Sequence, residues 1–242
     1  MFKRVSNSLM SLLLCFLIIG CSLEPVKHEA AIASSETLEA SEKGWWYARF
    51  RMNWPEHSDP VWHMDSMVAH LVVSPVLDEK RPQIELWRFH RRARRDGAGH
   101  QFSFIFYSTP DTASKIYQAL ESNASLKRLI AEGKIEKLVF DNTGEIKRPN
   151  IEDTSDPVWD EIIQKSWPYY IMGVSEMWLD MVERVVAYNK DKADTSEEFY
   201  DYVHNTVTLL WKKEGNHAFL HHLNGLFAYR PMVITERKLM TF

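Results

Sequence analysis

The sequence predicts an α+β fold: a small, mostly antiparallel sheet with covering helices, followed by a C-terminal three-helix region. Two stretches carry that prediction. Residues 83–107 alternate apolar and polar side chains on either side of Asp96-Gly97-Ala98-Gly99, the pattern of two strands joined by a tight reversal. Beyond residue 157 the apolar period becomes helical, with Ile171, Val174, Trp178, Met181 and Val185 falling at intervals of three and four.

Taken in order, the chain opens with Lys3 and Arg4, an apolar run from Leu9 to Ile19, and Leu17-Ile18-Ile19-Gly20-Cys21, the layout of a signal peptide over residues 1–20. The last string resembles a bacterial lipobox, which implies cleavage after Gly20 and diacylglycerol on the Cys21 sulfur. Ser22 in place of Asp implies, by the same resemblance, the outer membrane facing the periplasm in a cell with two membranes. The apolar run is shorter than the roughly 18 residues that a membrane span needs. With Cys15 removed and Cys21 acylated, the mature body holds no thiol, which excludes disulfides, cysteine nucleophiles and cysteine-ligated metals. Removal of Lys3 and Arg4 takes the formal net charge from −4 to −6, and acidity together with export argues against nucleic acid as a partner.

Residues 21–43 read as a flexible tether, 44–144 as the sheet region and 145–242 as a helical region packed against the sheet. The body begins with Trp45, Trp46, Tyr47, Phe50 and Trp54, which reads as an edge strand or packed arm, with an aromatic surface for lipid headgroups or glycan as the rival. Asp59-Pro60 starts a helix over 60–73 on Val61, Met64, Val68, Leu71 and Val72, and Pro75 and Pro82 bracket a loop into the hairpin. Thr109 caps a helix from Pro110 whose inner face is Ala113, Ile116, Tyr117 and Leu120. A shorter helix over 125–131 ends at Gly133, a strand follows over 135–140, and 145–157 connect to a helix over 158–190 that Pro168 should bend or divide near Trp167. A second helix spans 196–213, capped by Thr195 or Ser196 with Glu198 as the box partner of Thr195. Gly215-Asn216 should break the chain before a third over 217–229, and residues 232–235 could add an edge strand. Over about residues 60–141 the order helix, Trp87-x-Phe89-His90-Arg91 strand, Phe-rich strand after His100, helix, strand resembles ferredoxin-like modules, including the small domain of lanthionine-type dehydratases. That resemblance implies a ferredoxin-like variant of the sheet and carries over no catalytic residue.

Arg88, His90, Arg91, Arg92, Arg94 and Arg95 place five guanidinium groups and an imidazole in eight residues. Such a cluster holds phosphate or carboxylate, whether of a ligand, of a partner protein or of the chain's own acids. On a tethered exported body the anion would be a lipid headgroup, a lipopolysaccharide phosphate, an acidic glycan or the acidic face of a partner. Alternation puts Trp87, Phe89, Arg91, Ala93 and Arg95 on one face and Arg88, His90, Arg92 and Arg94 on the other, and leaves open which arginines flank the ladder Phe102, Phe104, Phe106. His217 and His221, four apart, could hold one transition metal ion with Glu176 or Asp180 from the preceding long helix, and Asp201/His204 and Glu214/His217 have related spacings. His221 and Asn224 line either a polar pocket or an ordinary interface. No Gly-x-Ser-x-Gly, phosphate loop, His-Glu-x-x-His or calcium loop occurs. The reading that results is a lipid-anchored cell-envelope protein that binds an anionic ligand or a partner protein, with no catalytic step required and no cofactor expected. Its alternatives are a metal-dependent envelope enzyme and a structural subunit of a membrane complex.

Overall fold

A computed structural model describes residues 42–189 and 195–231. The signal segment, Cys21, the tether up to residue 41 and the strand expected at 232–235 lie outside the described residues. Among the described residues, four strands form one antiparallel sheet in the order β2-β3-β1-β4, with β1 at Gly44–Met52, β2 at Leu86–Ala93, β3 at His100–Ser108 and β4 at Ile135–Phe140. Helices separate β1 from β2 and β3 from β4, which is the β-α-β-β-α-β connectivity of ferredoxin-like modules.

The aromatic run after Gly44 is therefore the interior strand β1, not an edge or an arm. Trp45 is buried on one face and Trp46 on the other, so the segment lacks the apolar-polar alternation of a half-exposed strand. Trp46, Ala48, Phe50 and Met52 join the phenylalanine ladder, Trp87 and Phe89 in the main core. Arg91 lies opposite Phe102, which settles which arginine flanks the ladder. The other face carries a smaller cluster of Trp45, Leu86, Ile105 and Tyr107. It is closed by the segment after β4, where the Trp45 indole donates to the Ile151 carbonyl at 2.9 Å and the Tyr107 hydroxyl to that of Pro149 at 2.6 Å.

The hairpin is shorter than its pattern. Arg81–Gln83 form a 3-10 turn around Pro82, and in the reversal it is Gly99, at φ +63°, that takes the left-handed conformation rather than Gly97.

The helix expected to stop at residue 73 continues as α1 (Trp62–Val68), a π-turn (Ala69–Val73) and α2 (Ser74–Lys80). Pro75 offers no N–H to the carbonyl of Leu71 four residues earlier, and Asn123 donates to that carbonyl instead, at 3.1 Å. Asn123 also caps α4 (Ala124–Ala131), which follows α3 (Pro110–Ser122) with Thr109 as its expected cap. The same device recurs in α5 (Glu161–Tyr188), which passes through Pro168 as one element: the carbonyl of Gln164 accepts from the Ser155 hydroxyl at 2.6 Å.

Ser196, not Thr195, caps α6 (Glu197–Gly215). Gly215 does not break the chain, which runs on through a π-helical segment (Asn216–His221) into α7 (His222–Leu226). A Cβ at Gly215 would come within 2.9 Å of the Trp211 ring, so glycine here admits an indole against the backbone.

Helix α5 crosses the rim of the sheet. Its Met172 packs against the smaller cluster, its Ser175 hydroxyl accepts the backbone N–H of Phe89 at 3.0 Å, and its Val182 and Val185 lie in the main core. Trp178 sits 5.5 Å from Phe89 and 6.2 Å from Phe102, ring to ring. Helix and hydroxyl together cover part of an edge that would otherwise present free backbone groups.

Candidate functional site

Between α5, α6 and the rim of β2 lies a cleft of about 510 Å³. Its walls are apolar: Ile171, Val174, Met177 and Met181 from α5, and Val207 from α6. Three indoles, Trp167, Trp178 and Trp211, complete them. Because β2 is an edge strand, the cleft wraps over it, touching Arg88 and His90 from one face and Phe89 and Arg91 from the other. No acidic or amide side chain lines it.

Three of the six clustered cations thus converge here, in different states. Arg88 donates through Nε to Thr154 Oγ1 at 3.0 Å and lies over the Trp167 ring at 4.8 Å. Burial lowers its pKa, an effect opposed by Tyr47, and a guanidinium keeps its charge regardless. Enclosure of the ring, then the charges of Arg88 and Arg92, lower the pKa of His90, although much of that residue meets solvent. Arg91 is held by the protein itself: Nε donates to Asp65 at 2.8 Å, Nη2 to the Trp62 carbonyl at 3.0 Å, and the guanidinium faces Trp178 at 4.8 Å. Asp65 has no exposed surface and also receives His100 Nε2 at 3.0 Å, leaving His100 Nδ1 buried without a partner.

The other three cations belong to the turn. Arg92 pairs with Asp96 at 2.5 Å. Arg94 is exposed, with Asp96 at 4.0 Å. Arg95 lies over Trp54 at 3.3 Å and donates to the carbonyls of Trp54, Pro55 and Ser58. Arg94 and Arg95 border a separate cleft of about 150 Å³ with Arg51, Glu136 and His100.

The metal alternative finds no convergence. Glu176 pairs with Arg81 and Asp180 with Arg184, while His217 and His221 stack on each other at 5.4 Å, with His222 at the edge of both. Asp201 faces His63 at 3.9 Å, and Glu214 faces Lys213 at 3.2 Å. Among the described residues, no three His, Cys, Asp or Glu side chains are grouped to hold a metal ion. His221 receives the Tyr229 hydroxyl at 3.3 Å on an exposed surface, so it lines no enclosed pocket with Asn224.

No protein-family model, curated protein or solved structure matches the chain. The indoles and methionines of the cleft were visible in the sequence only as a helical stripe, which reads as core. Their signal was that stripe on α5, with Trp167 one turn before it and Trp211 on α6.

Proposed function

We propose that the chain is a lipid-anchored cell-envelope protein that binds an anionic ligand, with no catalytic step required. The observation that carries this reading is the placement of Arg88 and His90 at the rim of a cleft of about 510 Å³ whose lining has no acid. A volume of that order lies within the usual range of small-molecule sites. Among the described residues no helix is long and apolar enough to cross a membrane, and the lipobox-like string ending in Cys21 supports attachment through a lipid.

Two measurements test the halves separately. Mass spectrometry of the membrane-extracted chain is expected to find residues 1–20 absent and Cys21 carrying diacylglycerol. An unmodified Cys21 would remove the anchor. Binding of lipopolysaccharide, anionic phospholipid and acidic glycan is then compared between the full chain and its Arg88→Gln/His90→Gln variant. At least one anion should bind tenfold more weakly to the variant, with the difference shrinking as salt screens it. Equal binding by a folded variant removes the cleft from the functional account.

A further inference from the structure

We infer that the ligand of this cleft is a single-chain anionic amphiphile, its hydrocarbon chain lying among the indoles and methionines and its carboxylate or phosphate head at Arg88 and His90. The inference rests on the anionic-ligand reading above and names the other half of the molecule.

The lining decides between a chain and a peptide. Phe89, the strand residue a docking peptide would pair with, already gives its N–H to Ser175 Oγ at 3.0 Å, and that hydroxyl in turn donates to the Ile171 carbonyl at 2.8 Å. Apart from the three cationic residues, the lining's side-chain hydrogen-bonding groups are this hydroxyl, that of Thr208 and the indole N–H groups. A peptide seated here would bury amides and carbonyls with few partners, at a cost in free energy for each. A hydrocarbon chain has none to satisfy.

The charge pattern fixes the sign of the head. Arg91 faces the cleft with its charge balanced by Asp65, whereas no acid pairs with Arg88, whose side-chain hydrogen bonds go to the hydroxyls of Thr154 and Tyr47. A guanidinium has five donors in a planar fork, so Arg88 retains capacity for an incoming carboxylate or phosphate. His90 is exposed and Arg88 half-buried on β2, while the indoles and methionines of the lining come from α5 and α6, so head and chain would be segregated along the cleft. An ammonium head would meet the Arg88 guanidinium with no lining acid to offset it.

The test uses the full chain in phosphatidylcholine nanodiscs, with tryptophan emission titrated against chain-brominated stearic acid, chain-brominated lysophosphatidic acid, chain-brominated stearylamine, and the soluble anions acetate and phosphate. Bromine quenches nearby indoles, and Trp167, Trp178 and Trp211 line the cleft. One or both brominated acids should quench saturably, and which one does so identifies the head as carboxylate or phosphate. Val174→Phe and Thr208→Phe, which narrow opposite walls, should each weaken that binding at least tenfold, and either variant suffices if the other fails to fold. Quenching that is the same for acids and amine, or unchanged in both folded variants, reflects partition into the bilayer and overturns the inference. If acetate or phosphate displaces the brominated acid at comparable concentration, the anionic site stands and the amphiphile does not. If neither long-chain nor short anions bind, the amphiphile is overturned, and the anionic-ligand reading is decided by the lipopolysaccharide and glycan comparison above.

Discussion

Asp65 sits on the apolar face of α1, four residues after Val61 and between Met64 and Val68, and it is wholly buried. A carboxylate in that position needs its charge met locally, and Arg91 and His100 meet it from neighbouring strands. Arg91→Gln is therefore expected to destabilise the fold by about 3 kcal/mol or more in urea denaturation, because a buried charge loses its counter-ion. Arg94→Gln, at an exposed position, should change stability by no more than about 0.5 kcal/mol. Similar costs for the two would refute the assignment. The cluster of arginines was legible from spacing alone. Which of them the protein keeps for itself was not, since the answer lies in an acid on another element, although an acid interrupting an apolar stripe was a visible anomaly.

At the scale of elements, caps were readable and prolines were not. Thr109 announced α3 because a hydroxyl one position before Pro110 can accept a first-turn N–H, a relation confined to four residues. Pro75 read as a break and Pro168 as a bend or a break because the groups that complete their helices come from elsewhere: Asn123 for the Leu71 carbonyl and Ser155 for that of Gln164. Ser155→Ala should destabilise by about 1 kcal/mol, since it leaves that carbonyl unpaired. In a Pro168→Ala background the helix supplies its own donor, so the same substitution should cost measurably less. A thermodynamic double-mutant cycle checks this, and strict additivity would contradict the compensating role given to Ser155. The tightly packed Gly215 belongs with the prolines: it resembled a helix break, yet it makes room for Trp211.

Across the whole molecule, stability should depend on acidity through His70 and His204. Burial lowers both pKa values, opposed by Glu183 for His70 and deepened by Arg91 for His204, while His70 Nδ1 is hydrogen-bonded to the Tyr200 hydroxyl at 2.6 Å. Each histidine binds protons less readily folded than unfolded, so stability is full above the unfolded value of about 6.5 and falls as pH drops toward the folded values. Thermal melts from pH 7.5 to 5.5 should show a decreasing Tm, and His70→Gln with His204→Gln should flatten that slope. A parallel slope in the double variant would place the effect on other groups. The α+β class followed from periodicities of two and of three to four, which are local. The cleft did not, because it exists only where α5 passes over the rim of β2, a relation between segments far apart in the chain. The position of β1 has a temporal counterpart. Its partners in the sheet are β3, through pairs such as Gly44 with Ser108, and β4, through Ala48 with Phe140. The first strand among the described residues is thus among the richest in aromatic residues and acquires both neighbours late. Such distant pairings slow folding and leave greasy surface uncovered meanwhile, so the nascent body is most open to aggregation until residue 140 has followed.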